Sequence, residues 1–448
     1  LIYLSLVDSL LLDSSSYSAT TREQLFESIV LHAEYVYKNY SVTFYGLESN
    51  HGLCCSVGLI YASLLLPDYH NSSSWYRFGI SSLNRALKKQ FTKDGVNFES
   101  SVNYHRFIFE ILIFLLSVFY KINNPIEKGM DESIRKIGNA LLQLTHKNTL
   151  ISRIGDSDGG KFLPDLFTIE NFNNMEYLEW FTDRRKKQYL ETIFFGKSQQ
   201  LENFLNNVPH SSIIGNYISF KNENISLIVS ANEIGTLGKG NHQHNDFLSF
   251  ELYSTTPFIV DPWSYCYTGN HDFRNNDRKT RSHNCVEIDN REIVPYGSHG
   301  LFEMLGNIKV NINRIKETSG SWDASLTHSG YKNLDNGSQV HTRNFKLNKI
   351  NNEILIVDHL NGTGSHYAKM HLSIPKKYWK LTKDGDTLIF SNEDEVFKMT
   401  TTWSSLIIDE SDVSSFFLNK EKAYRIILEQ EYQESKIVCL SVNYISKK

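Results

Sequence analysis

Along the first part of the chain, apolar residues recur every three to four positions, the period of an amphipathic helix. Segments of this kind cover 22–40, 52–66, 73–90, 98–121 and 131–146. The connections between them are short, which predicts antiparallel helices. The punctuation agrees: Asn50 suits an N-cap before Gly52, Pro67 stops one segment, and Asp94-Gly95 breaks the chain before the next. From about residue 217 the texture changes to short alternating or β-branched runs at 225–230, 247–253, 258–261, 285–288, 354–358 and 437–442. Asn361-Gly362 and Asp384-Gly385 are turn signals of the sort an antiparallel sheet needs. The expectation is an α+β multidomain chain, with a helical domain over 1–210 and an antiparallel β-sandwich over 211–448. There is no internal repeat and no low-complexity tract.

Composition narrows the classes. The 448 residues are 40% hydrophobic and 13% aromatic, enough for two cores. With 46 basic and 50 acidic residues, net charge is -4, so no global electrostatic footprint points to nucleic acid, and a polyanion must be met by a local cleft. The longest apolar stretch, 108–120, is too short and too interrupted to insert into a bilayer. The five cysteines, Cys54, Cys55, Cys266, Cys285 and Cys439, contain no CxxC pair and say little about compartment. The chain starts at Leu1 with no basic region before an apolar segment, so its start reads as a fragment or mature-chain boundary.

The densest polar cluster is Gly240-Asn241-His242-Gln243-His244-Asn245-Asp246, with Asp261 and His283 downstream. Two imidazoles and a carboxylate form a suitable zinc shell, with water in a fourth position; a histidine-rich loop that only hydrogen-bonds is the plainer alternative. On an extended backbone, His242 and His244 share a side. A simple hairpin at 254–257 sets Asp261 opposite about Phe250 rather than His244, so a metal site there requires a bend or a different connection. Asn50-His51 lies at a predicted helix start, where both side chains can donate to an anion or Asn50 can simply cap. Tyr104 lies near the start of the 98–121 helix, placed either for packing or for presenting its hydroxyl to a cleft. Gly155-Asp156-Ser157-Asp158 lacks the remaining ligands of a calcium loop and reads as the close of the helical domain.

Taken in order, Asn50-His51-Gly52, Asp94-Gly95 to Tyr104-His105, Gly155-Asp156-Ser157-Asp158, His242-x-His244-x-Asp246, Asp261-Pro262, Arg281-Ser282-His283-Asn284, His341-Thr342-Arg343 and Asp358 resemble the heparinase II/III-like polysaccharide lyases, a superfamily that includes related alginate lyases. The resemblance implies an incomplete α/α toroid followed by a β-sandwich. It implies β-elimination on an anionic, uronic-acid-containing polysaccharide of bacterial carbohydrate metabolism, with a periplasmic or secreted location. By position it makes Asn50 and His51 the groups that neutralise the uronate carboxylate, Tyr104 the acid and His242 its partner base. It makes His244, Asp261 and His283 the ligands of one structural zinc per chain. Tyr265, Tyr267 and Arg281 are further candidates for substrate contact. The sequence departs from the family pattern at Asp261-Pro262-Trp263, where Gly usually follows the proline. Two other readings stand beside this one: a glycoside hydrolase using carboxylates such as Glu99, Asp94, Asp156 and Asp158, and a catalytically silent glycan-binding or capsule-biosynthesis accessory protein. Neither the oligomeric state nor the particular glycan is legible.

Overall fold

The structure is a computed structural model that describes residues 1–11, 14–40, 49–122, 129–146, 150–160, 162, 213–296, 300–304 and 306–447. The expected domain boundary between residues 210 and 211 falls outside the described residues.

Among the described residues six helices come first: α1 (Ile2–Leu11), α2 (Ala19–Asn39), α3 (Asn50–Leu65), α4 (Ser72–Lys89), α5 (Val102–Lys121) and α6 (Met130–Gln143). The stripe Trp75, Gly79, Leu83, Ala86 and Leu87 is the buried face of α4. Gly79 matters for close packing, because a Cβ there would meet Ile60 Cγ1 and the Ser56 carbonyl at 2.8 Å. α5 is apolar nearly all round, and Ile108, Leu112 and Leu115 are fully buried between its neighbours. Each such side chain contributes roughly 1.5–3 kcal/mol.

Two expectations shift here. The helix drawn from residue 98 starts at Val102, because Phe91 and Asn97 form a β-bridge and Ser100 takes a φ of 57°. Asn50 is not a cap: it is the first residue of α3, Ser49 is the N-cap position, and the Asn50 side chain is directed to Glu99 instead.

The strands form two antiparallel sheets. In the smaller, β1 (Ile213–Ile214), β2 (Tyr217–Lys221), β3 (Ser226–Ser230), β4 (Phe250–Tyr253) and β5 (Pro257–Ile259) lie in sequence order. Every residue of β3 is buried, because both faces are covered. Tyr217 and Ile228 join the helical core, whereas Ile218, Phe220, Leu227 and Val229 join the core shared with the larger sheet. The larger sheet runs β11 (Lys380–Asp384), β12 (Thr387–Ser391), β13 (Glu395–Thr401), β15 (Asn419–Ser446), β10 (Glu353–Pro375), β9 (Gln339–Asn348), β8 (Ser321–His328) and β7 (Val310–Glu317). Within it β14 (Ser405–Phe416) pairs with β15, and β6 (Val286–Ile288) with β10. The runs expected at 354–358 and 437–442 are parts of β10 and β15, which pair from Glu353 opposite Asn443 to Pro375 opposite Ala423. Their alternating exposed positions carry polar residues, which hid their length.

The strand expected over 247–253 begins only at Phe250, since Phe247 and Leu248 form a turn with Leu248 at φ 58°. That turn lets the polar segment before it fold into the space between the helices and the sheets. Among the described residues no helix is long and apolar enough to cross a membrane.

Candidate active site

Gln243, His244, Asn245 and Asp246 are all 0% exposed, an unusual fate for four polar residues in a row. Asn245 and Asp246 are held by hydrogen bonds, whereas both ring nitrogens of His244 and Gln243 Oε1 are buried without one. Asn245 exchanges bonds with Val294, its Nδ2 donating to the carbonyl at 3.0 Å and its Oδ1 accepting from the N–H at 2.8 Å. Asp246 accepts from Gln243 Nε2 at 2.8 Å and from the Gly155 N–H at 3.1 Å. Burial pushes its carboxyl up to about 7. Arg343 of β9 ties the floor together, donating to the carbonyls of Leu248 and Asn284 and, through Nε, to Asp358 at 2.7 Å.

At the head of this segment lies His242, 6% exposed. Its ring stacks on Tyr104 from the first turn of α5, with centroids 3.8 Å apart and planes at 21°. The Tyr104 hydroxyl donates to the Tyr267 hydroxyl at 3.0 Å, and Tyr267 Oη lies 3.4 Å from His242 Nδ1. Burial, reinforced by Tyr267, Asp158 and Asp156, raises the Tyr104 phenol far above its ordinary value, so it stays protonated.

Two buried carboxylates flank the imidazole. Asp156 Oδ2 is 3.6 Å from Nδ1, and Glu99 Oε2 is 3.9 Å from Nε2. Asp156 is a hub. It pairs with buried Arg274, accepts from Ser264 Oγ at 2.9 Å, and brings Oδ1 to 3.5 Å from His244 Nε2. Despite complete burial, Arg274 and the two histidines hold its carboxyl well below the usual range. The chain reaches this point through Gly155, whose φ of 85° only glycine adopts without strain. Glu99 accepts from the Asn50 backbone N–H at 3.1 Å and from Asn50 Nδ2 at 2.9 Å. His51 follows on the same helical turn, exposed.

The expected metal ligands are brought near one another. The His244 and His283 rings have centroids 5.2 Å apart, and Asp261 Oδ2 is 2.8 Å from His283 Nδ1. The pairing of β4 with β5 ends at Leu252 opposite Ile259, after which Val260 leaves the pair and donates to the Ser373 carbonyl. His283 then bridges from Asp261 toward His244. Among the described residues no three His, Cys, Asp or Glu side chains are gathered closely enough to hold an ion as they stand. The donor chemistry nonetheless suits zinc, because both nitrogens of His244 and Nε2 of His283 are buried without a hydrogen-bond partner.

Of the remaining candidates, Tyr267 is in the cluster. Tyr265 packs elsewhere, edge-on to Phe273 with Lys420 Nζ 4.4 Å from its ring centroid. Arg281 is exposed on the short turn Thr280–Ser282, where its carbonyl accepts from Arg425. No motif marks Arg274, which lies 118 residues from the aspartate it neutralises. Nor did the sequence single out Glu99 and Asp156 as supports of His242, since spacing along the chain carries no such information.

Known proteins resemble the chain in sequence and in fold. Residues 214–440 match the family described as "Heparinase II/III-like, C-terminal", and residues 9–189 match "Heparinase II/III N-terminus". A heparin-sulfate lyase of Pedobacter heparinus is 24% identical over 394 residues, which cover 86% of this chain and 54% of that protein. One from Bacteroides stercoris is 23% identical over 343 residues, covering 74% and 46%. The chain therefore spans about half the length of these curated relatives. The crystal structure of a heparan sulfate lyase from Pedobacter heparinus shares the fold, with a TM-score of 0.72 at 18% identity over 99% of this chain and 66% of that one. With family matches running through both the helical and the strand-rich parts, the chain belongs to the heparinase II/III-like family.

Proposed function

We propose that this chain is a polysaccharide lyase that cleaves a uronic-acid-containing glycan by β-elimination. The observation that carries the proposal is the Tyr104–His242 stack, a phenol and an imidazole from opposite parts of the fold held 3.8 Å apart beside the Asn50 amide and its Glu99 anchor. The C5 hydrogen of a uronate is too weakly acidic to leave unless charge on the adjacent carboxylate is neutralised as it departs. Asn50 and His51 serve that purpose. His242 takes the C5 proton, the C4–O4 bond breaks as the C4–C5 double bond forms, and Tyr104 gives its proton to the departing O4. The raised phenol keeps Tyr104 protonated before substrate arrives, the form in which an acid must start.

A hydrolase needs two carboxylates facing the scissile bond. Glu99 and Asp156 are instead engaged, the first by Asn50 and the second by Arg274. The names of the relatives make a heparan-type glycan the first substrate to try. The location we propose is periplasmic or secreted, where such glycans are met, and the helices are proposed to form an incomplete α/α toroid, as the family resemblance implies. One zinc per chain, held by His244, Asp261 and His283, would be structural, clamping the loop that presents His242.

Heparan sulfate incubated with the chain is expected to yield products that absorb ultraviolet light through the new double bond. Products that gain one water and do not absorb would make the chain a hydrolase. No cleavage across heparan sulfate, hyaluronate, alginate and capsular glycans would favour the silent accessory reading.

A further inference from the structure

Glu99 has no part in the chemistry described above, yet it is 0% exposed and sits between two of the groups that carry it. A buried carboxylate is costly unless its oxygens are satisfied. Oε1 accepts from the Asn50 backbone N–H at 3.1 Å, Oε2 accepts from Asn50 Nδ2 at 2.9 Å, and Oε2 also lies 3.9 Å from His242 Nε2. Among the described residues no lysine or arginine pairs with it. Its own backbone is fixed in turn, the Glu99 N–H donating to Asn97 Oδ1 at 2.9 Å.

We infer that Glu99 is a positioning residue that fixes the orientation of the Asn50 amide at the uronate-carboxylate site. An Asn side chain can turn either its oxygen or its nitrogen toward a ligand, and only the nitrogen suits an anion. A carboxylate accepts only, so its two-point bond to Asn50 forces Nδ2 inward and excludes the flipped rotamer. Nδ2 carries two hydrogens. Glu99 takes one, and the other remains for a carboxylate on the substrate. This inference rests on the lyase reading above.

Glu99→Gln is the informative change, because it preserves shape. A glutamine offers one acceptor and one donor where two acceptors are required, so whichever way it turns, a donor faces a donor at either the Asn50 N–H or Nδ2. Steady-state rates on heparan sulfate are to be compared for the wild type, Glu99→Gln, Asn50→Ala and the double variant, with melting temperatures alongside. Glu99→Gln should lower kcat roughly 10–100-fold, the scale of a misdirected charge-assisted hydrogen bond. The double variant should be no slower than Asn50→Ala by more than about twofold, because a residue acting through Asn50 has nothing to orient once Asn50 is gone. Losses that multiply, or a Glu99→Gln rate within about twofold of wild type, would overturn the inference.

A second measurement keeps the two readings apart. If the wild type cleaves no uronate glycan, the lyase reading fails by itself. A crystal structure of Glu99→Gln then decides the positioning role: Asn50 turned or displaced supports it, and Asn50 unmoved overturns it. Should Glu99→Gln fail to fold, the same comparison is made with Glu99→Asp, whose shorter side chain still accepts twice but draws Nδ2 back. A reduced kcat, or where no glycan is cleaved a displaced Nδ2, supports the role; wild-type rate or placement sinks it.

Discussion

Tyr104 and His242 lie ring on ring, 3.8 Å between centroids, although 138 residues separate them in the chain and one comes from a helix and the other from a buried loop. A stacked phenol and imidazole can be ordinary packing, so removal of one oxygen is the decisive change. Tyr104→Phe keeps the ring and loses the proton. Turnover on a cleaved glycan should fall roughly 10²–10⁴-fold, with a melting temperature near that of the wild type, since the hydroxyl bonds only to Tyr267 Oη among the described residues. A variant that turns over within a few-fold of wild type would make Tyr104 a packing residue.

The buried imidazoles of His244 and His283 lead to a metal measurement. The purified chain should carry about one equivalent of zinc by elemental analysis. His244→Ala should release it and lower the melting temperature, and a chelator should do the same to the wild type but not to the variant. Equal metal content in the two proteins would end the assignment.

His105 predicts acid sensitivity. Its Nδ1 accepts from the Asn97 N–H at 3.2 Å and its Nε2 is 2.9 Å from the Ile137 carbonyl, an arrangement for the neutral ring. Burial lowers it to about 4. Between about 6.5, where a free histidine titrates, and that value the unfolded chain binds the proton and the folded one does not. Stability is therefore fully present above the unfolded value and is lost as pH falls, by about 3 kcal/mol over the window from this one group. Urea midpoints measured across that range should fall toward acid in the wild type and less steeply in His105→Gln. Parallel slopes would refute the assignment.

Two glycines at positive φ separate conformational strain from steric exclusion. Gly385, at φ 54° in the β11–β12 turn, has nothing within 4 Å of a built Cβ, so Gly385→Ala should cost about 1–2 kcal/mol. Gly155, at φ 85°, would place a Cβ 2.4 Å from the Ser100 carbonyl. Gly155→Ala should cost roughly 2–5 kcal/mol and reduce turnover as well, because Asp156 is the next residue. Equal costs in a denaturant titration would show that the Ser100 contact relaxes freely.

Periodicity alone determined the succession of helices and then strands, because burial of one face imposes a period of 3.6 or 2 whatever the partner. The polar motifs around Asn50, Tyr104, His242 and His283 were likewise visible, since their residue types are chemically conspicuous. Tertiary structure alone decided what those motifs do to one another. Asn50 looked like a cap and became a partner of Glu99; Asp156 looked like a loop closure and became the carboxylate between His242, His244 and Arg274. β10 and β15 looked like short runs and became strands of 23 and 28 residues. The physical reason is common to all three: hydrogen bonds, ion pairs and ladder contacts depend on distance in space, and a fold closes those distances between residues that sequence order leaves unrelated.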